Sequence, residues 1–147
     1  MATVFDVAVY ILNKTGPITA MKLQKLVYYS QAWSLVWDDD ALFEERIEAW
    51  ANGPVVPALY AAHKGLYKVS ASNFKGNPDA LNEAQKETVD VIINGFGDKS
   101  SQWLSDLSHT EDPWKDARKN IEPGERGCAV ISHAAMMEYY GAIDASV

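Results

Sequence analysis

The chain has 147 residues, 48% of them hydrophobic and 11% aromatic, with a formal net charge of −7 and a single cysteine. That length supports one domain burying roughly two-thirds of the surface its unfolded chain exposes, with no need of a disulfide or structural metal. The acidic balance argues against a general binder of phosphate backbones, one cysteine excludes an internal disulfide, and no apolar run approaches the ~20 residues that cross a bilayer.

In chain order, Thr3 and Asp6 predict a helix N-terminus, followed by an apolar stripe of Val4, Ala8, Ile11 and Leu12 that ends at Lys14-Thr15-Gly16-Pro17. The N-terminus lacks the basic stretch, apolar core and cleavage site of a secretory signal, so a cytoplasmic protein is expected. Thr19 predicts the cap of a second helix running to about Trp37. At about 100° per residue, Leu26, Val27, Trp33 and Trp37 fall within about 80° of Leu23, while Tyr29 and Val36 form a second apolar patch. A helix with two apolar faces belongs at the centre of the domain.

Asp38, Asp39, Asp40, Glu44, Glu45 and Glu48 face only Arg46 in residues 38–50. Such a cluster reads as a solvated loop, or as a surface for a basic partner. Leu42-Phe43 and Ile47 to Ala51 are expected to pair as a small hairpin. Asn52-Gly53-Pro54 breaks the extended segment, because Gly53 tolerates positive φ and Pro54 biases it away from the α region. Pro57 suits the first turn of a helix that ends near Lys64-Gly65. Residues 68–78 read as a loop with a brief strand. A helix from about Asn82 to Phe96 is expected to bury Leu81, Ala84, Val91 and Ile92. Two short helices, 100–107 and 113–120, flank Asp112-Pro113, and Ser132 caps a last helix through Met136, Met137, Tyr139 and Tyr140. The pattern predicts a mainly α fold of the α+β kind, a compact helical domain with a small β-hairpin, residues 1–147 forming one domain.

Chemistry has few candidates. His63, His109, His133 and Cys128 fall in no zinc, Cys-x-x-Cys, nucleophile-elbow or phosphate-loop spacing. No cofactor and no metal site is expected, and Cys128, among apolar neighbours, reads as a buried structural thiol. His109 allows two readings. In one it bonds a carbonyl at a helix C-terminus while Trp114 anchors the next helix; in the other both sit at the rim of a groove with Glu48 and Trp50. An enzyme using Glu48 and His109 as an acid–base pair is one alternative function. The first two helices also have helix-turn-helix spacing, with Lys22, Gln24, Lys25 and Gln31 offered to DNA, a reading that the net charge disfavours.

Three segments in order carry a family resemblance: Lys22-Leu23-Gln24-Lys25-Leu26 continuing to Trp33, then Leu42-Phe43 with the run Glu48-Ala49-Trp50 through Gly53-Pro54-Val55 to Tyr60, then His109 to Pro113-Trp114. Over roughly residues 4 to 140 the chain resembles the Panacea domain, the SocA-like antitoxins also described as phage-associated GepA-like proteins. The resemblance implies a non-enzymatic bacterial protein, often prophage-borne, that neutralises a toxin encoded beside it by direct binding. One such protein delivers its toxin to a protease, so a ClpXP-type partner is implied as a second possibility. Carried onto this chain, the motif positions are Gln31, Glu48, Trp50, Tyr60, His109 and Trp114 as candidate partner contacts, with Gly53, Pro54, Val55 and Pro113 as structural members.

Overall fold

The computed structural model describes residues 1–146. Helix α1 (Val4–Thr15) opens on a reciprocal cap, Thr3 accepting from the Asp6 N–H and Asp6 from the Thr3 N–H, and ends at Gly16, whose φ of 73° suits glycine. Strand β1 (Ile18–Thr19) leads into α2 (Ala20–Trp37), capped by the Thr19 hydroxyl on the Lys22 N–H. Both ends of both helices fall where the capping residues predict.

Helix α2 is the axis of the fold, packed by α1, by α4 (Glu83–Phe96), α5 (Ser101–His109) and α7 (His133–Ala145), and by the hairpin described below. From Leu23 to Ala32 every residue is buried. Its two glutamines there, and Ser34 a little further on, satisfy loop backbone that has no strand partner. Gln31 accepts from the Leu42 N–H at 2.7 Å and donates to the Phe43 carbonyl at 2.9 Å. Gln24 accepts from the Val56 N–H at 2.9 Å, and Ser34 donates to the Asp40 carbonyl. These bonds correct the expected hairpin: Leu42-Phe43 is not a strand, because the Gln31 amide takes the place of a neighbouring strand. They also remove the helix-turn-helix reading, since Gln24, Lys25 and Gln31 are sealed in the core and Lys22 donates to the Gly97 carbonyl.

The hairpin is instead β2 (Glu48–Trp50) against β3 (Gly53–Val55), antiparallel, with Ala49 opposite Pro54 and Ala51-Asn52 at the turn. Pro54 therefore lies within a strand. Beyond β2, the Ala49 N–H donates to Ala129 and the Ile131 N–H to Ile47, so residues 129–131 lie along the open edge of β2. That extended segment turns Ile131 inward and leaves Cys128 and Val130 exposed, so Cys128 is not the buried thiol its neighbours suggested.

Pro57 begins α3 (Pro57–His63), and β4 (Lys68–Val69) pairs with β1. In α4 the buried positions are Thr88, Val89 and Ile92; Ala84 and Val91 are exposed. The helix is rotated from the expected stripe, with the Thr88 hydroxyl donating to Asp38 in the acidic loop. Pro113 lies in the first turn of α6 (Asp112–Ala117). Helix covers 58% of the chain, which makes the fold mainly α. No helix of the described residues is long and apolar enough to cross a membrane.

Candidate functional site

The three motif segments meet around the hairpin. Lys25, from the second apolar face of α2, runs beneath β3 and donates from Nζ to the Pro54 carbonyl at 3.2 Å. It is fully buried, and burial pushes its pKa down from 10.5 to about 7. Gly53 makes room for it: a Cβ there would lie 2.5 Å from Lys25 Cε and 2.9 Å from Ser108 Oγ, at a φ of 121° that side chains avoid. The Gly-Pro pair is thus a passage for a buried amine as well as a bend.

On the same hairpin, Glu48 is buried and both its oxygens are engaged, one by Arg46 Nε at 2.7 Å and the other by Trp50 Nε1 at 2.8 Å. The carboxylate is thereby paired and the indole oriented. Trp114 Nε1 donates to the Trp50 carbonyl at 2.7 Å, tying α6 to the end of β2. His109 stacks on Trp114 with ring centroids 4.1 Å apart, and its Nε2 is buried without a hydrogen-bond partner. Burial lowers the His109 pKa first, and the nearby Lys25 charge lowers it further. Arg118 also lies over the Trp114 ring, 5.4 Å from its centroid, its guanidinium donating to the Ala49 and Glu125 carbonyls.

Outside this framework, Tyr60 meets Trp50 edge to face at 4.9 Å and His63 at 5.3 Å. His63 reaches Gln24 Nε2 at 3.0 Å, and burial lowers its pKa. Trp50 and Tyr60 are both only partly covered.

Of the six candidate contacts, the fold brings Glu48, Trp50, Tyr60, His109 and Trp114 to one corner. Gln31 is absent from it: it lies wholly in the core on the loop at residues 42–43. Glu48 and His109 share no hydrogen bond among the described residues: Glu48 is engaged by Arg46 and Trp50, and His109 is stacked on Trp114. Ser108 and Thr110 donate to the Ser105 and Leu107 carbonyls at the end of α5. Among the described residues, no three His, Cys, Asp or Glu side chains gather as a metal site requires.

Sequence reasoning missed Lys25, Arg118 and Glu111 as parts of this region. Lys25 had a signal: at about 100° per residue it falls about 20° from Val36 and about 40° from Tyr29, at the edge of the second apolar patch. Glu111 had none, because the tyrosines that receive it are distant in sequence. Tyr29 and Tyr140 both donate to its Oε1, at 2.6 and 2.8 Å, with Tyr28 hydrogen-bonded to Tyr140 behind them. Burial raises the Glu111 pKa, and the two phenols partly offset that.

Comparison with known families places the chain. The model of the antitoxin SocA-like Panacea domain matches residues 23–115, more than half of the chain, and the chain belongs to that family. The matched span begins within α2 and ends in α6, narrower than the 4 to 140 read from the sequence, but it holds every motif position named above. No curated protein and no solved structure matches the chain.

Proposed function

We propose that this protein is the antitoxin of a toxin–antitoxin pair and neutralises its toxin by binding it directly, without catalysis. The observation that carries this reading is the family match over residues 23–115, the stretch whose motif side chains converge on the hairpin corner. The corner suits a binding role. Two of its titratable groups are committed to structure, Glu48 to Arg46 and Trp50 and Lys25 to the Pro54 carbonyl. Meanwhile Trp50 and Tyr60 offer rigid, partly open aromatic surface of the kind that anchors protein interfaces. A bacterial cytoplasmic setting, with the toxin encoded beside this gene, follows from the same reading.

Co-expression with the product of the neighbouring gene tests it. The expected result is arrest of growth by that product alone and restored growth when this chain is present. Following the amount of toxin in the rescued cells separates two mechanisms: undiminished toxin means blocking, whereas loss dependent on a ClpXP-type protease means delivery for degradation. A toxic neighbour that this chain neither binds nor restrains would defeat the proposal.

A further inference from the structure

Three shallow concavities run together from the hairpin corner, past Tyr60 of α3 and along β1 and the first turn of α2. The first lies beside Trp50 and Val55 and is bounded by Arg126; the second shares Met21 and Tyr60 with it and continues to Leu66 and Tyr67; the third shares Tyr67 and ends at Lys68. Their volumes are about 280, 350 and 550 Å³. Tyr67 is 82% exposed and Leu66 is 43% exposed, side by side on this surface.

The charge along this groove runs against that of the molecule. In a chain of net charge −7, the described residues lining the three concavities include Lys22, Lys68 and Arg126 and no aspartate or glutamate. Two other concavities have the opposite character, one walled by Asp112, Asp116 and Glu138 and the other by Glu44 and Glu45. Lys22 is fixed by its bond to the Gly97 carbonyl, whereas Lys68 and Arg126 are exposed at opposite ends. A groove with an aromatic and aliphatic floor and a cation at each end selects for charge as well as for apolar contact.

We infer that this groove is the toxin-docking surface, and that its occupant is an acidic segment of the partner protein carrying apolar anchors. The apolar anchors seat between Tyr60, Met21 and Tyr67, and the carboxylates face Lys68 and Arg126. This deepens the antitoxin reading and rests on it. Trp50 and Tyr60, motif members, form the wall where the groove meets the hairpin; Met21 and Arg126 fall outside the matched span and adapt the surface to an individual partner.

The test is calorimetric titration of the purified neighbouring-gene product into wild-type protein, Tyr67→Ala, the double variant Lys68→Glu with Arg126→Glu, and Glu138→Lys on the acidic concavity as control. Far-UV circular dichroism establishes that each variant is folded. The groove variants are expected to weaken binding about tenfold or more, the control less than about twofold, and wild-type affinity to fall as salt is raised. Wild-type binding with groove variants within about twofold of it, and no salt dependence, would overturn the groove and leave the antitoxin function standing. Absence of any wild-type binding to a toxic neighbour would overturn both.

Discussion

The Lys25 side chain fills the space that a side chain at position 53 would need. A Cβ on Gly53 would stand 2.5 Å from Lys25 Cε and 3.1 Å from Nζ, with the Gly53 backbone at a φ of 121°. Two motif segments that are distant in sequence are thereby made interdependent. Gly53→Ala is expected to destabilise the protein by about 2–4 kcal/mol, combining backbone strain with displacement of a buried chain. Shortening the lysine in the double variant Gly53→Ala with Lys25→Ala should cost less than the sum of the single changes by roughly 1 kcal/mol, leaving the backbone strain and the close approach to Ser108 Oγ. Urea unfolding of the four proteins measures that coupling, and strict additivity would show that the two residues do not compete for space.

Stability should depend on pH through the same lysine. Its folded pKa of about 7 lies below the unfolded value of 10.5, so between those values the unfolded chain holds the extra proton and stability rises with pH. Below about pH 7 the ammonium is protonated in both states and its burial cost is fully expressed. Wild-type protein should gain roughly 2–4 kcal/mol between about pH 6.5 and 9.5 relative to Lys25→Met, whose profile loses this term. The window ends before pH 10, where the buried Tyr28, Tyr29 and Tyr140, all with raised pKa values, begin to act in the opposite direction. Parallel profiles for the two proteins would contradict the buried, single-acceptor environment of Lys25.

Gln31 distinguishes scaffold from contact among the motif positions. Gln31→Leu strands the Leu42 N–H and the Phe43 carbonyl in the core, for an expected loss of about 2–4 kcal/mol. In conditions where the variant is folded, its affinity for the toxin should match wild type. Normal stability with weakened binding would place the amide at the interface instead.

Cys128 should behave as a surface thiol. A chromogenic disulfide reagent is expected to titrate it fully in native protein, at a rate similar to that in denaturant. Modification only after unfolding would return Cys128 to the interior.

Local signals in the sequence located the helices well. Thr3 with Asp6, Thr19, Asn82, Ser100 and Ser132 all cap helices in the structure, because capping depends on neighbours within a turn. The two apolar faces of α2 marked it as the central helix for the same reason. What local pattern did not reveal depends on distant partners. The register of β2 and β3 was obscured by Pro54, which is admitted to the strand opposite Ala49, and Leu42-Phe43 looked strand-like although its backbone partner is a glutamine side chain. Cys128 sits in an apolar run, yet the alternation of an edge segment turns it outward. Of the candidate site, the family motifs pointed to the aromatic corner, while the groove beside it joins Met21, Tyr67 and Arg126 from three separate parts of the chain.

The central claim is neutralisation by direct contact, and it is tested most directly by titrating the purified product of the adjacent gene into this protein in a calorimeter. The account predicts saturable binding with a Kd below about 1 μM, tight enough to hold an intracellular toxin at modest concentration, and loss of the toxin's activity in the same mixture. A folded, active toxin that gives no binding heat at two temperatures, and keeps its activity in the presence of excess of this protein, would contradict it.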